Sequence, residues 1–129
     1  MENFRVFQAG PDPFGRIWQV ELKWLQTAIS IRHSDTVDAK FVLRNSDDVE
    51  EKTISMPHSI LRAVTDAQGV KLTDPWCSRI ALQHLKFVVE SGEDMEKEIL
   101  TLSQQQVAAY SAKVKEWETS IVRTRRGAA

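Results

Sequence analysis

Trp18-Gln19-Val20-Glu21-Leu22-Lys23-Trp24 places a large apolar side chain at every second position with a polar one between. This is the period of a β-strand with one buried and one wet face, so residues 16–24 are expected to form a strand. Upstream, Gly10-Pro11-Asp12-Pro13-Phe14-Gly15 stacks residues that a hydrogen-bonded ladder cannot use, which reads as a connecting loop. Before the loop, residues 4–8 alternate again and read as a shorter strand. Downstream the alternation changes phase, because the next apolar set is Leu25, Thr27, Ile29 and Ile31. A one-residue slip sends side chains to the opposite face, so a bulge or bend is expected between Lys23 and Gln26. An unbroken strand from Arg16 to His33 would also run about 60 Å, longer than a small domain is wide.

Ser34-Asp35-Thr36-Val37-Asp38 supplies turn residues, and residues 39–44 read as the returning strand, with Phe41 and Leu43 on one face and Val42 on the other. Asn45 to Glu51 reads as an acidic loop and residues 52–56 as a further β-branched strand. The first 56 residues thus form an expected antiparallel meander of four or five strands.

Beyond Pro57 the period changes. Ile60, Leu61 and Val64 fit one face of a short helix with Ser59 as its cap. A longer helix is expected from Asp74 as N-cap and Pro75 at the first turn, through Cys77, Ala81, Leu82, Leu85, Val88 and Val89, to Gly92 as its stop. Trp76, Ile80 and Phe87 widen its apolar arc, which places it against the sheet. Residues 98–102 fit either a short strand or an extended lead-in. Ser103 followed by Gln106 is a capping box that starts a last helix at Gln104. The whole chain, 1–129, is therefore read as one α+β domain: an N-terminal antiparallel meander packed against two or three C-terminal helices, with residues 123–129 as a frayed basic tail.

The 129 residues suit a single domain, and 42% apolar with 27% charged residues is the composition of a chain with a core. Seventeen basic against 18 acidic residues leave a net charge of -1, so nothing global favours nucleic acid or an anionic membrane. No apolar run approaches the roughly 18 to 20 residues of a membrane span, and the N-terminus lacks the order of a secretory signal. One cysteine excludes an intramolecular disulfide and suits a reducing compartment, so a cytoplasmic setting is expected.

Few residues suggest chemistry. Cys77, in the first turns of the Asp74 helix, is where the helix dipole lowers a thiol pKa if the thiol is accessible, and His58 on a loop is the histidine best placed to reach it. The competing reading makes Cys77 a small core hydrophobe, sharing its face with Ala81, Leu85 and Val88. His84, seven residues on, is about 10.5 Å away along the axis, too far to share a metal. His33-Ser34-Asp35 has the residue types of a hydrolase triad, but neighbours in a strand point to opposite faces, so it reads as a turn. Neither acidic connector follows a calcium-loop order and no glycine-rich phosphate loop is present, so no cofactor and no metal is expected. Arg123, Arg125 and Arg126 leave the C-terminus locally positive, which makes nucleic acid a minority reading.

The most informative pattern is Val107, Tyr110, Val114, Trp117 and Ile121, spaced 3, 4, 3, 4 as a heptad seam. So narrow a stripe suits a partner helix, in the same chain or another. The function expected from the sequence is a non-catalytic interaction module that self-associates through this helix. A thiol-dependent enzyme using Cys77 and weak nucleic-acid binding through the basic C-terminus are the alternatives, and no small-molecule ligand is legible.

Overall fold

The computed structural model describes residues 6–28, 35–46, 48–93 and 95–115. Ile29, Ile31, the His33-Ser34 pair, Trp117, Ile121 and the basic tail lie outside these residues. Strands β1 (Val6–Ala9), β2 (Trp18–Ala28), β3 (Thr36–Arg44) and β4 (Val49–Pro57) are followed by helices α1 (His58–Gln68) and α2 (Asp74–Ser91) and by strand β5 (Ile99–Thr101). A third helix, α3, begins at Gln104 and is described to residue 115. The five strands form one sheet in the order β1-β2-β3-β4-β5. The first three pairings are antiparallel and β4 with β5 is parallel. The α+β class expected from the change of period is what the chain adopts.

A parallel pair cannot be closed by a hairpin, so β4 and β5 need a crossover, which α1 and α2 provide. Within residues 98–102 the strand is Ile99–Thr101, flanked by two further bonds to β4: Thr53 donates its N–H to Glu98 O at 2.8 Å and Leu102 donates to Ser55 O at 3.0 Å. The meander is longer than its composition suggests. Strand β3 begins at Thr36, not Ala39, and β4 takes in Val49, Glu50 and Glu51, which pair with Arg44, Leu43 and Val42. Pairing with β3 overrides the acidic composition that made residues 49–51 look like loop, and Lys40 neutralises Glu51 at 3.0 Å.

The expected bulge is present. Register passes from Leu22 opposite Phe41 directly to Trp24 opposite Lys40, so Lys23 is the extra residue. Its consequence corrects the opening pattern: Trp18, Val20 and Leu22 are buried, but Trp24 is turned to the other face and is 37% exposed. Leu25 takes over the inward position and packs on the core.

Helix boundaries follow local hydrogen bonding. The cap of α2 is Thr73, one residue before Asp74, because its hydroxyl accepts the Trp76 N–H at 3.2 Å. For α1 the cap position is Pro57 and not Ser59, with no side-chain cap bond, and the His58 N–H is satisfied by Asp35 O at 2.8 Å. The capping box of α3 is reciprocal: Gln106 N–H to Ser103 Oγ at 3.2 Å and Ser103 N–H to Gln106 Oε1 at 2.9 Å. Gly92 ends α2 at φ 76°, and a Cβ there would stand 2.7 Å from Pro13 Cγ, so both conformation and the neighbouring loop exclude a side chain.

The core lies on one side of the sheet, where Trp18, Phe41, Leu43, Ile54 and Met56 meet Leu61, Ile80, Leu85, Val88 and Val107. Each such side chain contributes roughly 1.5 to 3 kcal/mol on full burial. Among the described residues two charged groups, Asp12 and Lys52, are buried on this side. Asp12, in the loop before β2, accepts from the backbone N–H of Phe14 and Arg16, from Arg16 Nε and from Trp18 Nε1, at 2.8–3.2 Å. Burial opposes its charge, but these four donors outweigh it and bring the carboxyl down to about 2. Lys52 is 3% exposed and donates to the carbonyls of Met95 and Lys97 at 2.5 and 2.7 Å, fixing the α2–β5 connector.

Candidate functional site

The two candidate residues of the thiol alternative, Cys77 and His58, share no hydrogen bond. Cys77 is 2% exposed in the core, and burial, with the Asp74 charge beside it, pushes its thiol up to about 12. The thiolate a nucleophile needs is therefore disfavoured by the packing that α2 requires. Its N–H is committed to Thr73 O at 3.0 Å. His58 opens α1 beside the start of β3, held there by its backbone bond to Asp35, and makes no hydrogen bond with Cys77. Cys77 occupies the position of a small apolar side chain.

Of the heptad seam, the described part faces inward. Val107, Tyr110 and Val114 are all buried and belong to the chain's own core. The partner helices lie within the chain. Gln68 of α1 donates to Ala108 O at 3.2 Å and accepts from Ser111 Oγ at 2.7 Å. His84 of α2 shares a hydrogen bond of 2.8 Å between Nδ1 and Tyr110 Oη. A stripe of this width is buried here in the same core as the inner face of the sheet, with hydrogen bonds to α1 and α2 beside it. Trp117 and Ile121 lie outside the described residues. His84 itself is buried and packs on Phe87 with ring centroids 6.2 Å apart, a structural histidine.

Among the described residues no three His, Cys, Asp or Glu side chains are grouped to hold a metal ion. None of the described helices is long and apolar enough to cross a membrane. Two surfaces remain. One is a hollow of about 190 Å³ between the start of α2 and α3, lined by Val70, Lys71, Thr73, Pro75, Trp76, Arg79, Ser111, Val114 and Lys115.

The other is the outer face of the sheet, opposite the core, where Trp24 is exposed and Val42, between Glu21 and Glu51, is buried. Register places Trp24, Lys40, Thr53 and Ile99 in one row across β2 to β5. At about 4.8 Å between strands this row spans about 14 Å. Ile99 is 65% exposed, and the Lys40 ammonium lies 6.0 Å from the centroid of the Trp24 ring. Alongside the row the charges alternate: Lys40 with Glu51 at 3.0 Å, Arg44 with Glu21 at 3.5 Å. These pairs are exposed, so each contributes at most about 1 kcal/mol to stability. Their effect is to give the face balanced charge. Sequence reading assigned Trp24 to the core; the phase slip after it was the signal that could have placed it outside. The cations of the hollow come from distant segments and carried no joint signal.

In comparison with known proteins, no family model, no curated protein and no solved structure matches the chain.

Proposed function

We propose that the chain is a non-catalytic protein-interaction module that self-associates through the outer face of its sheet, with Trp24 as the anchor. The observation that carries this reading is the position of Trp24, turned out of the core by the Lys23 bulge onto the outer face, where it is 37% exposed. Nothing in the core needs Trp24 there, since Leu25 fills the inward place. A large aromatic ring set among polar residues, with exposed Ile99 at the far end of the same row, supports an interface with Trp24 as its anchor.

A second copy is the partner favoured by charge. Glu21 and Glu51 alternate with Arg44 and Lys40, so the face has no net sign. Under a twofold axis, acids of one copy can be set against bases of the other without a like-charge row.

The experiment is sedimentation velocity of wild type and Trp24→Ala from micromolar to near-millimolar concentration. Reversible dimerisation is expected in the wild type. Truncating an interface anchor costs at least about 2 kcal/mol, so Trp24→Ala should weaken it about thirtyfold. A wild type that remains monomeric throughout, or a Trp24→Ala variant that associates as well as wild type, would overturn the proposal.

A further inference from the structure

We infer that the hollow between α2 and α3 is a binding site for a compact oxyanion, specifically a phosphoryl group. It lies away from the outer sheet face and does not depend on self-association. Its wall brings together three cations from three separate segments: Lys71 from the α1–α2 connector, Arg79 from the second turn of α2 and Lys115 from α3. No carboxylate is among the described residues that line it. Arg79 and Lys115 have other partners as well, so what distinguishes the hollow is the sign of its wall and not a vacant valence.

Hydroxyl geometry adds a donor. Thr73 Oγ accepts from the Trp76 N–H at 3.2 Å, which uses a lone pair and leaves the hydroxyl hydrogen to point at a ligand. Ser111, by contrast, donates to Gln68 Oε1 at 2.7 Å and serves to fix the wall. The backbone at the start of α2 has little left to offer: Pro75 has no N–H, and those of Trp76 and Cys77 are bound to Thr73. Recognition therefore falls to side chains. Trp76 and Val114 make the rest of the wall apolar, which strengthens each ionic contact inside it.

Volume and charge select the ligand. At about 190 Å³ the hollow is below the roughly 300 to 1,000 Å³ of sites that enclose a whole drug-sized molecule, so it takes a head group. A phosphate monoester brings nearly two negative charges and three acceptor oxygens, and a guanidinium fork fits it; a carboxylate brings one charge and two oxygens.

The test is NMR on the full ¹⁵N-labelled chain, following the Trp76 indole N–H and the amides of residues 73–79 during titration with inorganic phosphate. O-phosphoserine, acetate and sodium chloride at matched ionic strength are parallel arms. Phosphate is expected to give saturable shifts confined to the hollow, and acetate to bind about tenfold more weakly. Lys71, exposed on a connector, can be reversed without touching the core, so Lys71→Glu should weaken phosphate at least about tenfold with the sheet resonances unmoved. Arg79→Gln provides a second variant with the same expected direction. Tighter binding of O-phosphoserine than of phosphate would assign the group to a phosphorylated partner, and equal binding to free phosphate; either supports the site. Equal shifts with sodium chloride, acetate binding as tightly as phosphate, or a Lys71→Glu protein that titrates like wild type would overturn it.

Discussion

Replacing Lys52 by methionine should unlatch β5 while leaving the rest of the sheet in place. Methionine keeps most of the stem that packs on the core and removes the ammonium that holds the Met95 and Lys97 carbonyls. A hydrogen bond from a charged donor contributes about 1.5 to 3 kcal/mol, so the two together amount to about 3 to 6 kcal/mol before the cost of burying the amine is set against them. That cost is real here: burial pulls the Lys52 pKa down against the opposing pull of Glu50, Glu96 and Glu98. A net loss of about 2 to 3 kcal/mol follows, or about 8 to 12 °C in Tm for a chain of this size. The sign of the pH dependence is also fixed. With the folded pKa lowered, the unfolded chain binds the extra proton between the two values, so the wild type gains stability as pH rises toward the ordinary lysine range, an increment absent from Lys52→Met. Urea unfolding at several pH values measures the loss, and amide exchange locates it at the Thr53 and Leu102 N–H groups that bind β5 to β4. A loss below about 1 kcal/mol, with both amides still protected, would refute the claim that this amine holds the connector.

Two further outcomes follow from the titratable groups. The Asp12 carboxyl falls from an ordinary 3.8 to about 2, so its contribution to stability is present above the ordinary value and is lost as pH drops toward 2; Asp12→Asn should flatten the acid limb of the urea midpoint, and an unchanged limb would contradict the role of its four donors. The Cys77 thiol, raised to about 12, should react with a thiol reagent near about pH 8 at a rate set by opening of the fold and accelerated by sub-denaturing urea, whereas immediate labelling of the native protein would restore the thiol-enzyme alternative.

Most of the architecture was legible because its signals are local. The alternation over residues 18–22, the phase slip at Lys23, the capping box at Ser103 and the stop at Gly92 each depend on neighbours within a few residues, and each is realised in the fold. The errors arise where a distant segment decides. Residues 49–51 are acidic and looked like loop until β3 paired with them. Asp12 lies in the loop where its neighbours placed it, but only the return of the chain at Arg16 and Trp18 gives its carboxylate four donors. Lys52 looked like an ordinary polar position in a strand, and its acceptors lie more than 40 residues away.

Surfaces were harder to read than cores for a related reason. A heptad seam states that a helix has a partner but not whose helix it is, and here Val107, Tyr110 and Val114 are buried in the chain's own core while α2 bonds Tyr110 and α1 bonds the Ala108 carbonyl. Trp24 shows the converse. In sequence it continues the buried set Trp18, Val20, Leu22 without a break, and one extra backbone residue is enough to reverse its face. The bulge then does two things: it lets Leu25 close the core, and it places an aromatic ring beside Lys40 in the row that ends at Ile99. Deleting Lys23 would restore continuous register with Trp24 still opposite Lys40 and Leu25 still opposite Ala39, so it would remove the bulge and leave the ring on the outer face. Trp24→Ala is the complementary change, because it removes the ring from that face and leaves the register, the bulge and Leu25 as they are.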